Sequence, residues 1–540
     1  MQVDEELLDL VFSIDAVFAE SDPFDFWHFA NENGWDDPFL LLDKLIPLYI
    51  FSDLSQLSES LPDVLTGLIS ACMNEFAILV REKRKQALQD YQELEQNLRL
   101  AIEEASSSES ALLWILKELS ERGFPLAKDL AAKARIFHEH QFNQRISEQS
   151  EPSEPVASLR SLIESSDIDN EFDFFQIFTS HLTHLPEDVA GGIVVFWLTS
   201  EQPIAREAAI FSLLHPDVHV REEVRSLLLE PSLAAQISPV GLRRLINMRN
   251  WFLDSERTAI DKVIRNVRKA GVNCSMEQAA TAKVLGYYQS TVDGAGAQTL
   301  MIALKEGRRF RLFGAVLKEH FGVLDTWMTP PSTRKEIDSL VRRVKNEIYT
   351  LEVDQALVEA ALGHFLQYNA HSGQVVSPEV LQIFEMTGIE SWNPQALDFK
   401  KVLEERCEHY IELQDPEWLL SAWHKTGQWH QKSNAFAVGW FEHSDELVEF
   451  FEECVVSSKN PSSVFEDKLL ADFSGEVGRK WFKRLVYLGL WAEHNQKKRG
   501  PDPKAFYAAA VAIEKNQLEP LWLVGNIIKD SFAAQLAHHA

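Results

Sequence analysis

Arg308, Arg309 and Arg311 crowd into four residues of the stretch VDGAGAQTLMIALKEGRRFRLFGAVLKEHFG, residues 292–322, and Lys318 follows close behind. Guanidinium and ammonium groups so spaced can grip phosphate or carboxylate groups through charge-assisted hydrogen bonds. More cations flank them. Arg265, Arg268 and Lys269 fall on neighbouring turns of SERTAIDKVIRNVRKAG, and Arg342, Arg343 and Lys345 lie in TRKEIDSLVRRVKNE. Residues 241–350 hold nineteen Lys and Arg against eleven Asp and Glu, a net of +8 in a chain whose formal net charge is −30. Such asymmetry reads as an interaction face for a polyanion or an acidic partner. The plainer alternative is a solvated face paired internally with acidic helices.

Other candidates are sparser. WHKTGQWHQKSN sets Trp423–His424 and Trp429–His430 around Gly427. Aromatic and His pairs can line a ligand pocket, and they can equally anchor a helix end. His181 and His184 share a helix face with Glu187 one turn on, but no Cys lies near and a third ligand is undefined. His138 and His140, two apart, fall on different sides of a helix. The chain has no GxxxxGK[ST], no GxGxxG after a strand, no GxSxG, no HExxH, no EF-hand loop and no kinase set. No catalytic residue, metal site or cofactor is assigned.

The elements that must position the basic side chains differ from the rest of the chain. LGYYQSTV has the aromatic and β-branched residues of a strand. VDGAGA reads as a turn, since only glycine enters positive φ freely. Leu300, Ile302 and Leu304 alternate with Thr299, Met301, Ala303 and Lys305, and Arg309 and Arg311 alternate with Phe310 and Leu312. Period two in both arms predicts a small antiparallel β insertion near residues 283–317. Arg309 and Arg311 then point to one side, about 7 Å apart, where Arg308, Lys318 and His320 could join them. AQTLMIALKEG also suits a helix stopped by Gly307; the arginine alternation favours strands.

Elsewhere the pattern is helical. Leu88, Tyr91, Leu94, Leu98 and Ile102 recur at spacings of three and four, and SESALLWILKELSERG predicts a second helix able to pair with the first. Residues 1–66 carry fifteen acidic residues and one basic residue, Lys44, mixed with aromatics. Such a mixture fits a folded acidic cap better than a disordered tail. SEQSEPSEPV, residues 147–156, reads as a linker. Short paired helices follow, then a Trp-rich helical region over residues 329–540.

The helix pairs of residues 157–270 resemble the HEAT-type helical repeat. The residues that carry the resemblance are Asp217, Val220, Arg221, Val224 and Leu227–Leu228: a short turn, an Asp, an Arg one turn inside, then apolar residues. The resemblance implies stacked helix pairs forming a curved surface.

At 540 residues the chain exceeds a single core. The expected architecture is mainly α and multi-domain, with HEAT-like pairs in the middle and one β insertion. Its expected parts are an acidic helical domain (1–146), a linker (147–156), a HEAT-like region (157–279), a β insertion (280–328) and a Trp-rich helical domain (329–540). Four scattered cysteines form no CxxC pair and suit a reducing compartment. The acidic N-terminus is unlike a signal peptide, and no apolar run approaches the ~20 residues of a membrane span. These features predict a cytoplasmic protein without membrane contact. The leading expectation is a non-catalytic scaffold binding a protein partner. The alternatives are a nucleic-acid- or polyanion-associated protein using residues 241–350, and an enzyme with an unrecognised site.

Overall fold

The computed structural model describes residues 37–51, 61–81, 84–104, 109–122, 170–183, 187–274, 281–389, 393–430, 435–442, 444–457, 460–497 and 500–539, with a few isolated positions before residue 170. The expected linker at 147–156 and the His138/His140 pair lie outside them. The chain divides into two compact units, Met1–Leu227 and Leu228–Ala540.

In the first unit, α1 (Pro38–Phe51), α2 (Leu61–Arg81), α3 (Lys85–Glu104) and α4 (Glu109–Glu121) pack around a core that includes Leu45, Leu68, Phe76, Leu94, Leu98 and Leu116. Tyr91, Leu94 and Leu98 of the predicted helix face are buried. Next come α5 (Glu171–Thr183), α6 (Glu187–Thr199), α7 (Pro203–Ala208) and α8 (Val218–Leu228). Phe174, Phe178 and Trp197 interlock there at ring distances of 4.6–6.3 Å. Asp217 caps α8 by accepting from the His219 amide (2.8 Å). Arg221 folds back to donate to the carbonyls of His215 and Pro216 (2.7 and 2.8 Å). The Asp and Arg that carry the repeat resemblance thus brace the turn entering their own helix.

The second unit begins with α9 (Pro231–Ala234), α10 (Pro239–Met248) and α11 (Asp254–Lys269), followed by β1 (Lys283–Ser290), β2 (Ala297–Glu306), β3 (Arg309–Lys318) and β4 (Gly322–Met328). α12 (Arg334–Glu347) leads to β5 (Thr350–Val353). The remaining helices are α13 (Gln355–Ser372), α14 (Pro378–Thr387), α15 (Phe399–His409), α16 (Pro416–Lys425), α17 (Asp445–Ser457), α18 (Pro461–Phe473), α19 (Glu476–Glu493), α20 (Pro503–Glu514) and α21 (Trp522–His539). The fold is mainly helical with one small antiparallel sheet, as the patterning predicts.

That sheet runs β4-β3-β2-β1-β5, all antiparallel. The β2–β3 hairpin is in unbroken register from Ala297↔Lys318 to Glu306↔Arg309, closed by Gly307 at φ 56 and Arg308. Stretch 297–306 is therefore strand and not the competing helix. β4 and β5 both lie beyond the expected insertion at 283–317, and β5 pairs with β1 from sixty residues away.

Helices cover both faces of the sheet over its centre, while Arg309 at the hairpin end and Asp325 and Trp327 on the edge strand are exposed. On one face Met301, Ala303 and Leu312 pack against Ile337 and Val341 of α12. The opposite face meets α13 and α19, where the buried Gln289 amide donates to Gln298 and to the Tyr487 hydroxyl (both 2.6 Å). Tryptophans fasten this junction. The Trp491 and Trp440 indoles donate to the carbonyls of Gln289 (2.9 Å) and Val292 (2.7 Å), giving each ring an apolar body in the core and a satisfied N–H. Arg244 of α10 makes a two-pronged contact with Glu385 of α14 (2.9 and 2.7 Å), tying the helices before the sheet to those after it.

Candidate functional site

α12 starts cleanly because Thr333 and Glu336 form a capping box: the Thr333 hydroxyl accepts from the Glu336 amide while the Glu336 carboxylate accepts from the Thr333 amide. These contacts, with the Ser332 hydroxyl first among them, hold the Glu336 carboxyl down at about 2. The apolar residues Ile337, Leu340, Val341 and Val344 anchor one side of the helix to the sheet. At about 100° per residue, Arg334, Lys335, Asp338, Val341, Arg342 and Lys345 then occupy about a third of the circumference beside that anchor.

This stripe forms one wall of an open groove of about 620 Å³. Its remaining lining is Tyr288 of β1, Glu352 of β5 and Lys497. Tyr288 and Glu352 are cross-strand partners, so they share a face by register. Backbone contacts lay the chain around Lys497 along β5: the Gln496 amide donates to the Glu352 carbonyl (2.7 Å) and the Asp354 amide to the His494 carbonyl (3.2 Å). Five cations from two distant segments therefore surround two carboxylates.

The charges are crowded. The Lys345 ammonium sits 4.3 Å from the Tyr288 ring centroid. Burial and then the neighbouring Lys497 charge lower its pKa, with Glu352 opposing. Lys497 pairs with Glu352 at 2.9 Å, which raises its pKa. Arg334 reaches Asp338 at 3.5 Å, both well exposed, a pair worth little in water. Arg334 and Lys335 also stand in the first turn of α12, where the helix dipole disfavours cations. An anion in the groove would relieve each of these repulsions.

The other predicted binding residues are dispersed. Arg308 and Arg309 are exposed at the tip of the β2–β3 hairpin. Arg311 shares the strand face of Arg309, but it is 8% exposed and faces Glu306 at 3.4 Å. Lys318 is nine residues from Arg309, about 30 Å along a strand, and on the opposite face. It is buried, and burial followed by Arg484 brings its pKa down to about 8. The hairpin therefore does not gather these four cations around one ligand: the pleat that aligns Arg309 with Arg311 turns Lys318 away. Arg265, Arg268 and Lys269 are exposed along α11, and Arg343 points away from the groove that Arg342 lines.

The Trp and His candidates are packed. The buried Trp423 donates to the Ala508 carbonyl (2.6 Å), and Trp429 meets Trp440, Phe436 and Phe506 at 4.9–6.0 Å. His424 stacks on Trp522, which is 55% exposed. His430 lies 3.3 Å from Asp530, with burial lowering its pKa. The four side chains thus make separate contacts, with the Ala508 carbonyl, the Trp440–Phe436–Phe506 cluster, Trp522 and Asp530. The side chains of His181, His184 and Glu187 lie outside the described set.

The VDGAGA turn serves a different centre. Arg484 of α19 is 2% exposed; it grips the Glu319 carboxylate through Nε and Nη2 (3.0 and 2.9 Å) and the Gly294 carbonyl through Nη1 (2.9 Å). Glu442 approaches to 3.6 Å and also accepts from Lys480 and the Trp481 indole. A Cβ on Gly294 would lie 2.2 Å from the Phe441 carbonyl oxygen, and one on Gly296 (φ 77) 2.5 Å from Glu319 Oε2. Gly296 makes room for this network, while Gly294 admits the backbone of Gly439 and Phe441. The gap beside it is about 10 Å³, at the threshold for one water, so it has no room for a substrate.

Arg334, Lys335, Tyr288, Glu352, Lys497 and Arg484 were not singled out from sequence. The α12 cations carried a usable signal in their helical spacing. Nothing local links Lys497 to them.

Residues 186–271 match the Y4lR second domain, and residues 400–536 match the Y4lR C-terminal helical domain. The chain is similar to the Y4lR family over these two stretches. An uncharacterized protein, y4lR of Sinorhizobium fredii (strain NBRC 101917 / NGR234), is 22% identical over 360 residues, covering 66% of this chain and 67% of its own. No solved structure matches the chain. The second matched stretch is helical here too, spanning α15 to α21 apart from its last residues. Lys497 and Arg484 fall inside it, and α12 falls in neither. Among the described residues no helix is long and apolar enough to cross a membrane.

Proposed function

We propose that this is a non-catalytic interaction protein that docks an acidic protein partner through the groove between α12 and β5. The observation that supports this most is the convergence of Arg334, Lys335, Arg342, Lys345 and Lys497 on one recess of a chain with net charge −30. Local positive charge on an acidic protein steers anionic partners to one place and repels them elsewhere. The helix pairs of residues 157–270, taken as HEAT-type, would offer a separate partner surface in a cytoplasmic setting.

A pull-down from the native cytosol at about 100 mM salt tests the reading. The wild type is compared with Lys335→Glu/Arg342→Glu and with a control, Arg308→Glu/Arg309→Glu, that reverses the same charge on the hairpin tip. A partner set captured by the wild type and the control and lost by the groove variant is expected. An identical set from all three overturns the reading.

A further inference from the structure

Resting on that interaction reading, we infer that the groove binds an acidic peptide segment in extended conformation, with acidic side chains at its two ends and an uncharged centre. Arg334 and Lys345 stand eleven residues apart on α12, about 16 Å along the axis. An extended peptide rising about 3.3 Å per residue covers that length in five or six residues. The groove wall is not uniformly positive. Arg334 and Lys335 mark one end, Arg342 and Lys345 the other, and Asp338 lies between them. A carboxylate opposite Asp338 would be repelled, whereas carboxylates at either end meet two cations each.

The end near Lys345 is built for an anion. Lys345 and Lys497 are brought together with one carboxylate, Glu352, which is committed to Lys497 at 2.9 Å. An incoming carboxylate would supply the second negative charge and stabilise both ammoniums.

The lining argues against single-stranded nucleic acid as the occupant. Such binders stack bases on aromatic faces. Among the described residues Tyr288 is the one aromatic lining the groove, and Lys345 lies over its ring. A continuous run of phosphates would also meet Asp338 and Glu352. A peptide with a neutral centre avoids Asp338.

The test is fluorescence anisotropy at 50 mM and 300 mM salt with three rhodamine-labelled probes on the full chain. These are the hexapeptide Glu-Glu-Ser-Ser-Glu-Glu, its isomer Ser-Glu-Glu-Glu-Glu-Ser with the same charge at the centre, and a thymidine hexanucleotide. The protein variants are Arg342→Glu and Lys497→Glu, both at exposed positions, with Arg265→Glu/Arg268→Glu as the control on α11. The expected result is salt-sensitive binding of the first peptide, about fivefold tighter than its isomer, weakened at least about fivefold by each groove variant and unchanged within about twofold in the control. Absence of binding at 50 mM salt, equal loss in groove and control variants, equal affinity for the two peptides, or tighter binding of the oligonucleotide at the groove overturns the inference. The pull-down fails separately: a partner retained by the groove variant refutes partner docking there, while peptide binding is read on purified protein alone.

Discussion

Replacing Arg484 by alanine should be among the most damaging single changes in the second unit. The guanidinium is almost wholly buried and holds three partners: Glu319 through two donors, the Gly294 carbonyl, and Glu442 at 3.6 Å. Its flat face also lies 5.0 Å from the Trp481 ring centroid. The Glu442 carboxylate keeps Lys480 and the Trp481 indole. Among the described residues the largely buried Glu319 carboxylate has no such substitute. Removing one partner of a buried ion pair costs about 3–5 kcal/mol, chiefly from the charge left behind. Urea unfolding followed by tryptophan fluorescence reads this directly, since Trp481 contacts the network and Trp440 packs against Trp481. The pair Arg484→Met/Glu319→Gln should recover more than half of the loss, because both charges leave together. A single variant losing less than about 1 kcal/mol, or a double variant no better than the single, would refute the claim that an orphaned carboxylate sets the cost.

Other expectations follow from the same geometry. His364 is packed between Phe365, Tyr368 and Phe399 and accepts from the Leu397 amide at Nδ1 (3.1 Å). Burial, then the Lys483 charge, lowers its pKa from 6.5 to about 4. The unfolded state therefore binds the proton first, so this contribution is intact above pH 6.5 and is lost as pH falls towards 4, a loss of about 3 kcal/mol at most. In His364→Phe the stability measured across that window should fall less steeply than in the wild type, and an unchanged slope counts against the assignment. Gly296→Ala should cost at least about 2 kcal/mol and Gly307→Ala about 1, since both have positive φ but only the former meets atoms within 4 Å. Equal urea midpoints for the two would contradict this. Asn369→Ala removes the side chain that accepts from the Val323 amide (2.8 Å) and donates to its carbonyl (3.3 Å). Hydrogen exchange at Val323 should rise by about tenfold or more, and unchanged protection would show that the edge of β4 is sealed by other means.

The period-three-and-four spacing of Tyr91, Leu94 and Leu98 was enough to place a helix face, because a helix buries a stripe that the chain itself spells out. The alternation through 300–312 was enough to place a hairpin and to align Arg309 with Arg311. It could not say which side of the strand meets water. Here α12 covers the centre of one face and α13 and α19 the other, so only positions towards the ends and edge, such as Arg309 and Asp325, reach water. Hence Arg311 and Lys318, legible as cations, gave no sign of their burial. The pairing of β5 with β1 was equally silent, because four residues carry little local pattern and their partner is far along the chain.

The groove divides the same way. Sequence alone determined that Arg334, Lys335, Arg342 and Lys345 share a helix face, because the 3.6-residue turn is a local property. Sequence also determined that this chain is acidic overall and basic over residues 241–350. Only the tertiary structure decided that Lys497, Glu352 and Tyr288 meet that face, since strand pairing and the backbone bonds between 494–496 and β5 join segments over 140 residues apart. It likewise decided that Gly296 of VDGAGA makes room for Glu319 and Arg484, side chains that no spacing rule connects to it.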